Sequence, residues 1–328
     1  MNRSVLTIIV CAVVVILLLS VIFALYSSEN PSTASTATQI SSSIVRTSSS
    51  ASPLGSSATG TSVSEPQFTF NESEALQFYQ ELNVPSIGLL QTFPQSNIIY
   101  LADDQALDYF ALRTIFNSTQ SAVAISEARE INNSISSWGG LYQYWNPVFV
   151  VVGDYPSNWV WENGVDQEIS SLSSNSRNYT IRATVFSPNL NFDYYNYADQ
   201  ELYYSLWNLH LGNYSAAESA FSAANSFWNG YGFADKAFNS SDHFYTSYKM
   251  ALALIAWKSL EQNPKTTGFA TSYISEITNI TSIMSLLQGS DGGVWTNYAI
   301  SEGNVIANSS ISQENGETTS LFVLAYGL

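Results

Sequence analysis

The sequence predicts a mainly α-helical fold built from helical hairpins, with a small antiparallel β insertion and one transmembrane helix in front of it. Three observations carry this prediction. Apolar residues recur at helical spacing in a series of segments after residue 70, β-branched and aromatic residues concentrate between residues 147 and 187, and residues 5–26 are almost entirely apolar. The length of 328 residues suits one domain with additional segments.

The N-terminal segment predicts a membrane anchor. Residues 5–26 form an uncharged run of 22 residues, interrupted only by Thr7 and Ser20, and a helix of that length spans a hydrocarbon core of about 30 Å. Arg3 precedes the run and Glu29 follows it, so the positive-inside rule places the N-terminus in the cytoplasm and the rest of the chain outside the cell. We therefore predict an uncleaved signal anchor at residues 1–26, with a cleaved signal peptide as the alternative.

The next segment is typical of a stalk. Residues 27–64 hold 21 Ser or Thr among 38 residues, and such a composition buries too little apolar surface to offset the entropy of ordering. Residues 65–328 are then the extracellular domain, with a β insertion at about 147–187. N-x-Ser/Thr sequons spread over that domain predict N-glycosylation. They begin at Asn71, Asn117, Asn132, Asn178, Asn213, Asn239, Asn279 and Asn308.

Composition excludes several functions. The net charge of −16 and the pI near 4.2 argue against nucleic acid as a partner, because phosphate binding requires a basic face. One Cys and two His exclude a disulfide framework, an iron–sulfur cluster and a multi-histidine site, so no metal and no cofactor is expected. The segment 189–193 imitates the first ligands of a calcium loop, but Tyr194 stands where that loop needs Gly.

The charge balance also suggests a habitat. Residues 65–328 carry 25 acidic side chains and 8 Lys or Arg, so protonation of the carboxylates leaves a modest positive charge and little self-repulsion. An acidic environment is therefore a hypothesis of the sequence.

Helical periodicity recurs in a fixed order. A very apolar helix, expected to lie inside, is followed by a more polar helix that returns, and then by a loop with glycine and an aromatic residue. Hairpins stacked in this way form solenoids or closed rings, although each glycine alone is also explained as a helix C-cap. The predicted helices are 72–82, 103–116, 121–136, 199–211, 215–228, 242–260, 268–287 and 317–326, and the loops are 138–142, 229–233 and 291–295.

A different pattern interrupts this series. Residues 148–152, 159–161 and 179–186 are rich in β-branched and aromatic residues and are bounded by prolines, which predicts a flap of two or three antiparallel strands. Such an insertion serves either as a lid or as a cover for apolar helix surface.

Three segments resemble the (α/α) toroid superfamily, the six-hairpin glycosidase-like fold, as in secreted, membrane-anchored archaeal surface proteins. They are the inner-helix start at 103–112 (DDQALDYFAL), the loop at 292–298 (GGVWTNY) and the helix start at 315–326 (NGETTSLFVLAY). The resemblance covers about residues 70–328 and implies a ring or incomplete toroid of helical hairpins. If the first helix pairs with the last, the ring has four hairpins rather than six.

The resemblance also implies candidate catalytic residues. Toroid glycosidases carry two carboxylates at the N-terminal ends of inner helices, one as general acid and one as the base that activates water. On that basis Asp104 and Glu317 are the nominated pair. Helix capping and complementation of the helix dipole are the alternative role for such acids. Weaker candidates are Asp103, Asp199, Glu201 and Asp242.

Aromatic residues near the same end would serve as platforms for sugar rings, although aromatic side chains more often belong to a core or a rim. The candidates are Tyr142, Trp159, Trp161, Tyr194, Tyr195, Trp295 and Tyr298.

Two classes of function follow and stay open. One is a cell-surface glycoside hydrolase that acts through inner-helix carboxylates on a polysaccharide. The other is a non-catalytic protein that binds glycans or belongs to the cell envelope and keeps the scaffold without the chemistry. Two carboxylates that face each other without serving as helix caps would favour the enzyme.

Overall fold

The computed structural model describes residues 66–100, 103–137, 146–157, 159, 164–186, 193–241 and 243–328. Helices dominate this part of the chain. They are α1 (Glu72–Leu82), α2 (Asp104–Thr119), α3 (Ala122–Ser137), α4 (Ala198–His210), α5 (Tyr214–Asn225), α6 (Lys236–Asn239), α7 (Tyr248–Gln262), α8 (Thr267–Thr271), α9 (Ile274–Met284) and α10 (Gly316–Gly327). Short 3₁₀ helices lie at Pro147–Val152 and Tyr194–Asn196.

The strands form four small sheets. They are β1 (Asn83–Val84), β2 (Leu89–Leu90), β3 (Ile98–Tyr100), β4 (Gly164–Ser174), β5 (Arg177–Phe186), β6 (Tyr245–Thr246), β7 (Val294–Trp295), β8 (Asn297–Ser301), β9 (Asn304–Ile306) and β10 (Glu314–Asn315). Strands β1 and β2 pair with each other, as do β7 and β10, while the two larger sheets have the orders β3-β5-β4 and β6-β8-β9. All of these pairs are antiparallel except β3 with β5.

Four helices form the centre of the described domain. Helix α10 packs between α2 and α7, and α7 also packs against α4. Helix α7 is buried on nearly all sides, from Lys249 to Lys258, which is typical of an interior helix. The more polar helices lie against this centre in sequence order, because α3 packs on α2, α5 on α4, and α9 on α7.

The first helix joins the last one. Helix α1 contacts both α2 and α10, and Phe68 and Phe70 in front of it pack against Phe322 and Tyr326. Asn71 caps α1 by accepting hydrogen bonds from the backbone N–H groups of the second and third residues. A cap and an apolar stripe on one element explain why the bounds of α1 are those that the sequence predicts.

The predicted fold class needs correction in two respects. The helix contacts describe pairs packed around four central helices, and a ring or incomplete toroid is not shown. Among the described residues no helix is long and apolar enough to cross a membrane, so the transmembrane helix of the predicted fold class is not found there. The interior helix α7, buried along most of its length, has 15 residues, whereas a span needs about 20. The predicted anchor at residues 1–26 and the stalk at 27–64 lie outside the described residues.

The prediction of the β insertion is correct in part. Strands β4 and β5 form a long antiparallel hairpin, but the third strand of their sheet is β3, which precedes the insertion and runs parallel to β5. The predicted strand at 148–152 is wrong, because this segment is a 3₁₀ helix. Asn146 caps it with its side chain, Pro147 occupies its first turn, and Gly153 ends it at a φ of 85°. These three residues override the β preference of the valines between them.

Candidate functional site

The four central helices bring carboxyl groups together at their N-terminal ends. Asp104 is the first residue of α2, Asp199 the second of α4, and Glu317 the second of α10. Asp103 directly precedes α2. We call these four residues the carboxyl cluster. Tyr248, the first residue of α7, connects its two sides.

The packing of α10 on α2 and of α7 on α4 and α10 makes these residues neighbours, in agreement with their electrostatic effects on one another. The charges of Asp103 and Glu317 both raise the pKa of Asp104, after the larger effect of burial. Tyr248 donates a hydrogen bond to Oδ2 of Asp199 over 2.9 Å, and the charge of Glu317 also acts on the Tyr248 hydroxyl. The structure therefore brings the nominated pair, Asp104 and Glu317, close to each other and places Asp199 on the far side of Tyr248.

Asp104 has the environment of a carboxylic acid that holds its proton. Its side chain is buried, with 4% of the residue exposed, and Oδ2 has no hydrogen-bond partner in the described part of the chain. Burial raises the pKa of Asp104 well above its ordinary value, the neighbouring carboxyl groups raise it further, and a hydrogen bond with Thr92 opposes them. An acid with a raised pKa remains able to donate a proton near neutral pH.

Asp103 differs from Asp104 in its partners. Its Oδ2 accepts a hydrogen bond from Nδ2 of Asn146 over 3.2 Å, while its buried Oδ1 has no partner among the described residues. Burial raises the pKa of Asp103, the backbone N–H groups of Asp103 and Asp104 lower it, and the charge of Asp166 raises it slightly. Because Asp166 belongs to β4, the side of the cluster at Asp103 faces the sheet of β4 and β5.

Asp199 is held by a buried cation. Nζ of Lys249 lies 3.8 Å from Oδ1 of Asp199 and 2.6 Å from Oδ2 of Asp235. Asp235 is fully buried and accepts backbone hydrogen bonds from Ala198, Ala237 and Phe238. Asp235 therefore contacts both helices: it accepts a hydrogen bond from Ala198 at the start of α4 and forms an ion pair with Lys249 at the start of α7. This buried pair fixes the two helix starts against each other.

Helix capping does not account for the acids of the cluster. Asp103 at the N-cap of α2 makes no capping hydrogen bond with its side chain, and neither do Tyr197 before α4 and Ser247 before α7. Helix α10 is capped by Asn315 rather than by Glu317. Buried polar atoms that lack a partner among the described residues also occur at this end, on Ser247 and Thr318. Such atoms at one place are typical of a site that binds a polar ligand or ordered water.

Sequence reasoning missed Asp108, one turn further along α2. Its carboxylate is 1% exposed and accepts a 2.6 Å hydrogen bond from Ser320, whose hydroxyl also bonds the Tyr79 hydroxyl over 2.7 Å. Burial raises the pKa of Asp108 to about 7, against the hydrogen bond from Ser320. The available signal was an aspartate at i+4 from Asp104 within the apolar stripe of an inner helix.

Two of the weaker acids fall outside the cluster. Glu201 lines a cavity together with Tyr194, Tyr195 and Tyr204, and neither Asp104 nor Glu317 contributes to its walls. Asp242 lies outside the described residues.

The predicted aromatic platforms have different environments. Tyr298 is buried in the core and donates a 2.6 Å hydrogen bond to the carbonyl of Tyr231, so its nomination as a platform is wrong. Trp159 packs against Tyr204 and Trp207, with ring centroids 5.4 and 5.6 Å away. Trp295 is half-buried in β7. Tyr194 and Tyr195 face the cavity of Glu201, and Tyr142 and Trp161 lie outside the described residues.

Metal binding finds no support in the described part of the chain, where no group of three or more His, Cys, Asp or Glu side chains is arranged to hold an ion. All eight asparagines of the sequons are exposed. N-glycosylation at these positions stays a prediction.

Comparison of the chain with protein-family models, with curated proteins and with solved structures gave no significant match. The resemblance to toroid glycosidases therefore stays a prediction of the sequence.

Proposed function

We propose that this protein hydrolyses glycosidic bonds, with Asp104 as the general acid and Glu317 as the general base. The observation that supports it most directly is the carboxyl of Asp104, which is buried and has no partner at Oδ2 among the described residues. It lies beside the carboxyl of Glu317, at the N-terminal ends of two adjacent helices. Two neighbouring carboxyl groups with different environments are what this chemistry requires.

In the proposed reaction Asp104 transfers its proton to the glycosidic oxygen as the bond to the anomeric carbon breaks. Water attacks that carbon from the opposite face and gives its proton to the carboxylate of Glu317. Burial and the neighbouring carboxyl groups raise the pKa of Asp104, which keeps it protonated for the first step. Tyr248 and Asp199, joined by their hydrogen bond, would bind hydroxyl groups of the sugar.

The non-catalytic alternative rests on a specific observation. Asp104 is only 4% exposed, and a substrate must reach a general acid within hydrogen-bond distance. If this carboxyl stays enclosed, the protein binds glycans or belongs to the cell envelope without hydrolysing them.

A sugar-release assay with the purified full chain tests the proposal. Polysaccharides of several linkages are incubated between pH 3 and 8 with the parent protein, Asp104→Asn, Glu317→Gln and Glu276→Gln. Glu276, an acid in the first turn of the outer helix α9, is the matched control. Circular dichroism verifies that each variant is folded.

The proposal expects release by the parent and by Glu276→Gln, and a loss of at least about 100-fold in both other variants. Full release by Asp104→Asn or Glu317→Gln would remove that residue from the mechanism. Binding of oligosaccharides without release by the folded parent would establish the non-catalytic alternative.

A further inference from the structure

A cavity lies beside helices α4 and α5, and a role for it is independent of the proposed hydrolysis. Its volume is about 470 Å³, and it is open to solvent. Its walls are Tyr194, Tyr195, Tyr204 and Glu201, and its floor is made of small side chains of α5: Ala216, Ser219, Ala220 and Ala223. We call it the tyrosine cavity.

Sequence explains why the space exists. Helix α5 has the sequence YSAAESAFSAAN, and its alanine and serine side chains leave room that larger residues would fill. The 3₁₀ helix at Tyr194–Asn196 then places two consecutive tyrosines over that floor. Their hydroxyl groups contact each other, and their ring centroids lie 3.7 Å apart.

The third aromatic wall is fixed from behind. The ring of Tyr204 stacks on Trp207 at an interplanar angle of 18°, with centroids 5.7 Å apart, and it also packs against Trp159. Because Tyr204 is supported on its far side, this wall of the cavity is preorganised. Tyr195, in contrast, is 64% exposed. A large exposed aromatic ring next to a cavity is typical of a binding site rather than of a core.

Glu201 gives the cavity its charge. Its carboxylate makes no hydrogen bond or ion pair within the described part of the chain, and none of the described lining residues is basic. Burial raises the pKa of Glu201, because it disfavours the charged carboxylate. The charge of Glu201 also contributes, after burial and Tyr195, to raising the pKa of Tyr194 to about 12. The carboxylate therefore faces the tyrosine wall.

These features select a class of ligand. The face of an aromatic ring is negative and attracts a cation, and an uncompensated carboxylate adds a direct ion pair. An anion would be repelled, and a neutral sugar would stack on the rings but leave the buried charge unpaired. An alkylammonium group satisfies the rings and the carboxylate together.

We propose that the tyrosine cavity binds an organic ammonium cation, with Tyr194, Tyr195 and Tyr204 around the cationic group and Glu201 as its counter-ion. The sequence nominates Tyr194 and Tyr195 as sugar platforms and Glu201 as a weaker catalytic candidate, and neither nomination includes such a ligand.

Isothermal titration of the full chain with choline chloride tests the proposal. The matched ligand is 3,3-dimethylbutan-1-ol, which has the shape of choline without its charge, and methyl glucoside represents a neutral sugar. We expect choline to bind at least about tenfold more tightly than its neutral analogue. Equal binding of both, binding of the sugar alone, or no binding of choline would each overturn the proposal.

Variants assign the binding to this cavity. Tyr195→Ala and Glu201→Gln should each weaken choline binding about tenfold, whereas Tyr195→Phe keeps the ring and should retain it. Tyr231→Ala is the control, because Tyr231 is also exposed, at 45%, and does not line the cavity. Unchanged choline binding in Tyr195→Ala and Glu201→Gln would place the ligand elsewhere and overturn the assignment.

Discussion

Asp108 should make the protein less stable as the pH rises from acidic to neutral. Its pKa is about 7 in the folded state, against an ordinary value of 3.8, because its carboxyl is buried. For a group whose pKa is raised by folding, the stabilisation is fully present below the unfolded pKa and is lost as the pH rises through the folded pKa. The window for Asp108 is therefore about pH 4 to 7.

The size of the effect follows from the shift. At 1.36 kcal/mol per pKa unit, the move from 3.8 to about 7 corresponds to at most about 4 kcal/mol, and full conversion is justified because the residue is only 1% exposed. Within the window the slope contributed by one proton is about 1.4 kcal/mol per pH unit. Asp108→Asn keeps the shape of the side chain and removes this titration.

Urea unfolding of the full chain, followed by tryptophan fluorescence at several pH values from 4 to 8, measures the difference. Relative to the parent, Asp108→Asn should flatten the dependence of the unfolding free energy on pH by about 1.4 kcal/mol per unit. The control is Asp193→Asn, because Asp193 is exposed and the hydrogen bond with Lys236 lowers its pKa, so it titrates below the window. Parallel curves for the parent and Asp108→Asn would refute the argument.

Three further predictions concern other parts of the fold. Gly292 has a φ of +94°, and a Cβ there would overlap a backbone carbonyl of α1. In urea titrations Gly292→Ala should therefore lower the unfolding free energy by more than about 2 kcal/mol. The control Gly268→Ala lies in open space within α8 and should change it by about 1 kcal/mol or less. Lys249→Met should cost about 3–5 kcal/mol by leaving Asp235 charged and buried, and adding Asp235→Asn should recover part of that loss in the same assay. Burial and a hydrogen bond to a neighbouring carboxyl raise the pKa of Glu314 to about 8, so Glu314→Gln should reduce the fall in melting temperature between pH 6 and 9, and an unchanged fall would contradict this.

The helices that the sequence predicts well are those whose signals are local. Helix α1 has its cap, its first-turn acids and its apolar stripe within twelve residues, and its bounds match. The helix predicted at 242–260 begins later, at Tyr248, because Tyr245 and Thr246 pair as β6 with β8, some fifty residues further along the chain. Strand β4 is polar on most of its length and gives no alternating pattern, so only its pairing with β5 defines it.

The parts of the site also differ in whether a local pattern or a long-range contact defines them. The resemblance to toroid glycosidases nominates Asp104 and Glu317 at two helix starts, and the packing of α10 on α2 brings them together. The hydrogen-bonded group of Asp108, Ser320 and Tyr79 joins side chains more than 200 residues apart in sequence, and no local pattern indicates such contacts. The tyrosine cavity depends on the small residues of α5, which look like ordinary helix formers in the sequence.

The raised pKa of Asp104 connects the proposed catalysis with the acidic habitat that the sequence suggests. Burial and neighbouring carboxyl groups raise its pKa, so the folded state favours the protonated acid, which is also the form that donates a proton in hydrolysis. Low pH would then favour both the stability of the domain and the active form of its general acid. Asp104→Asn removes the ionisation, so the melting temperature of the variant relative to the parent should rise as the pH increases from 4 to 8. Sugar release should be lost in the same variant, as expected for a residue that lowers stability but is needed for activity. A variant that is less stable than the parent by the same amount at every pH would instead show that Asp104 serves the fold through a hydrogen bond, such as the one with Thr92, and would leave the proposed acid without its defining property.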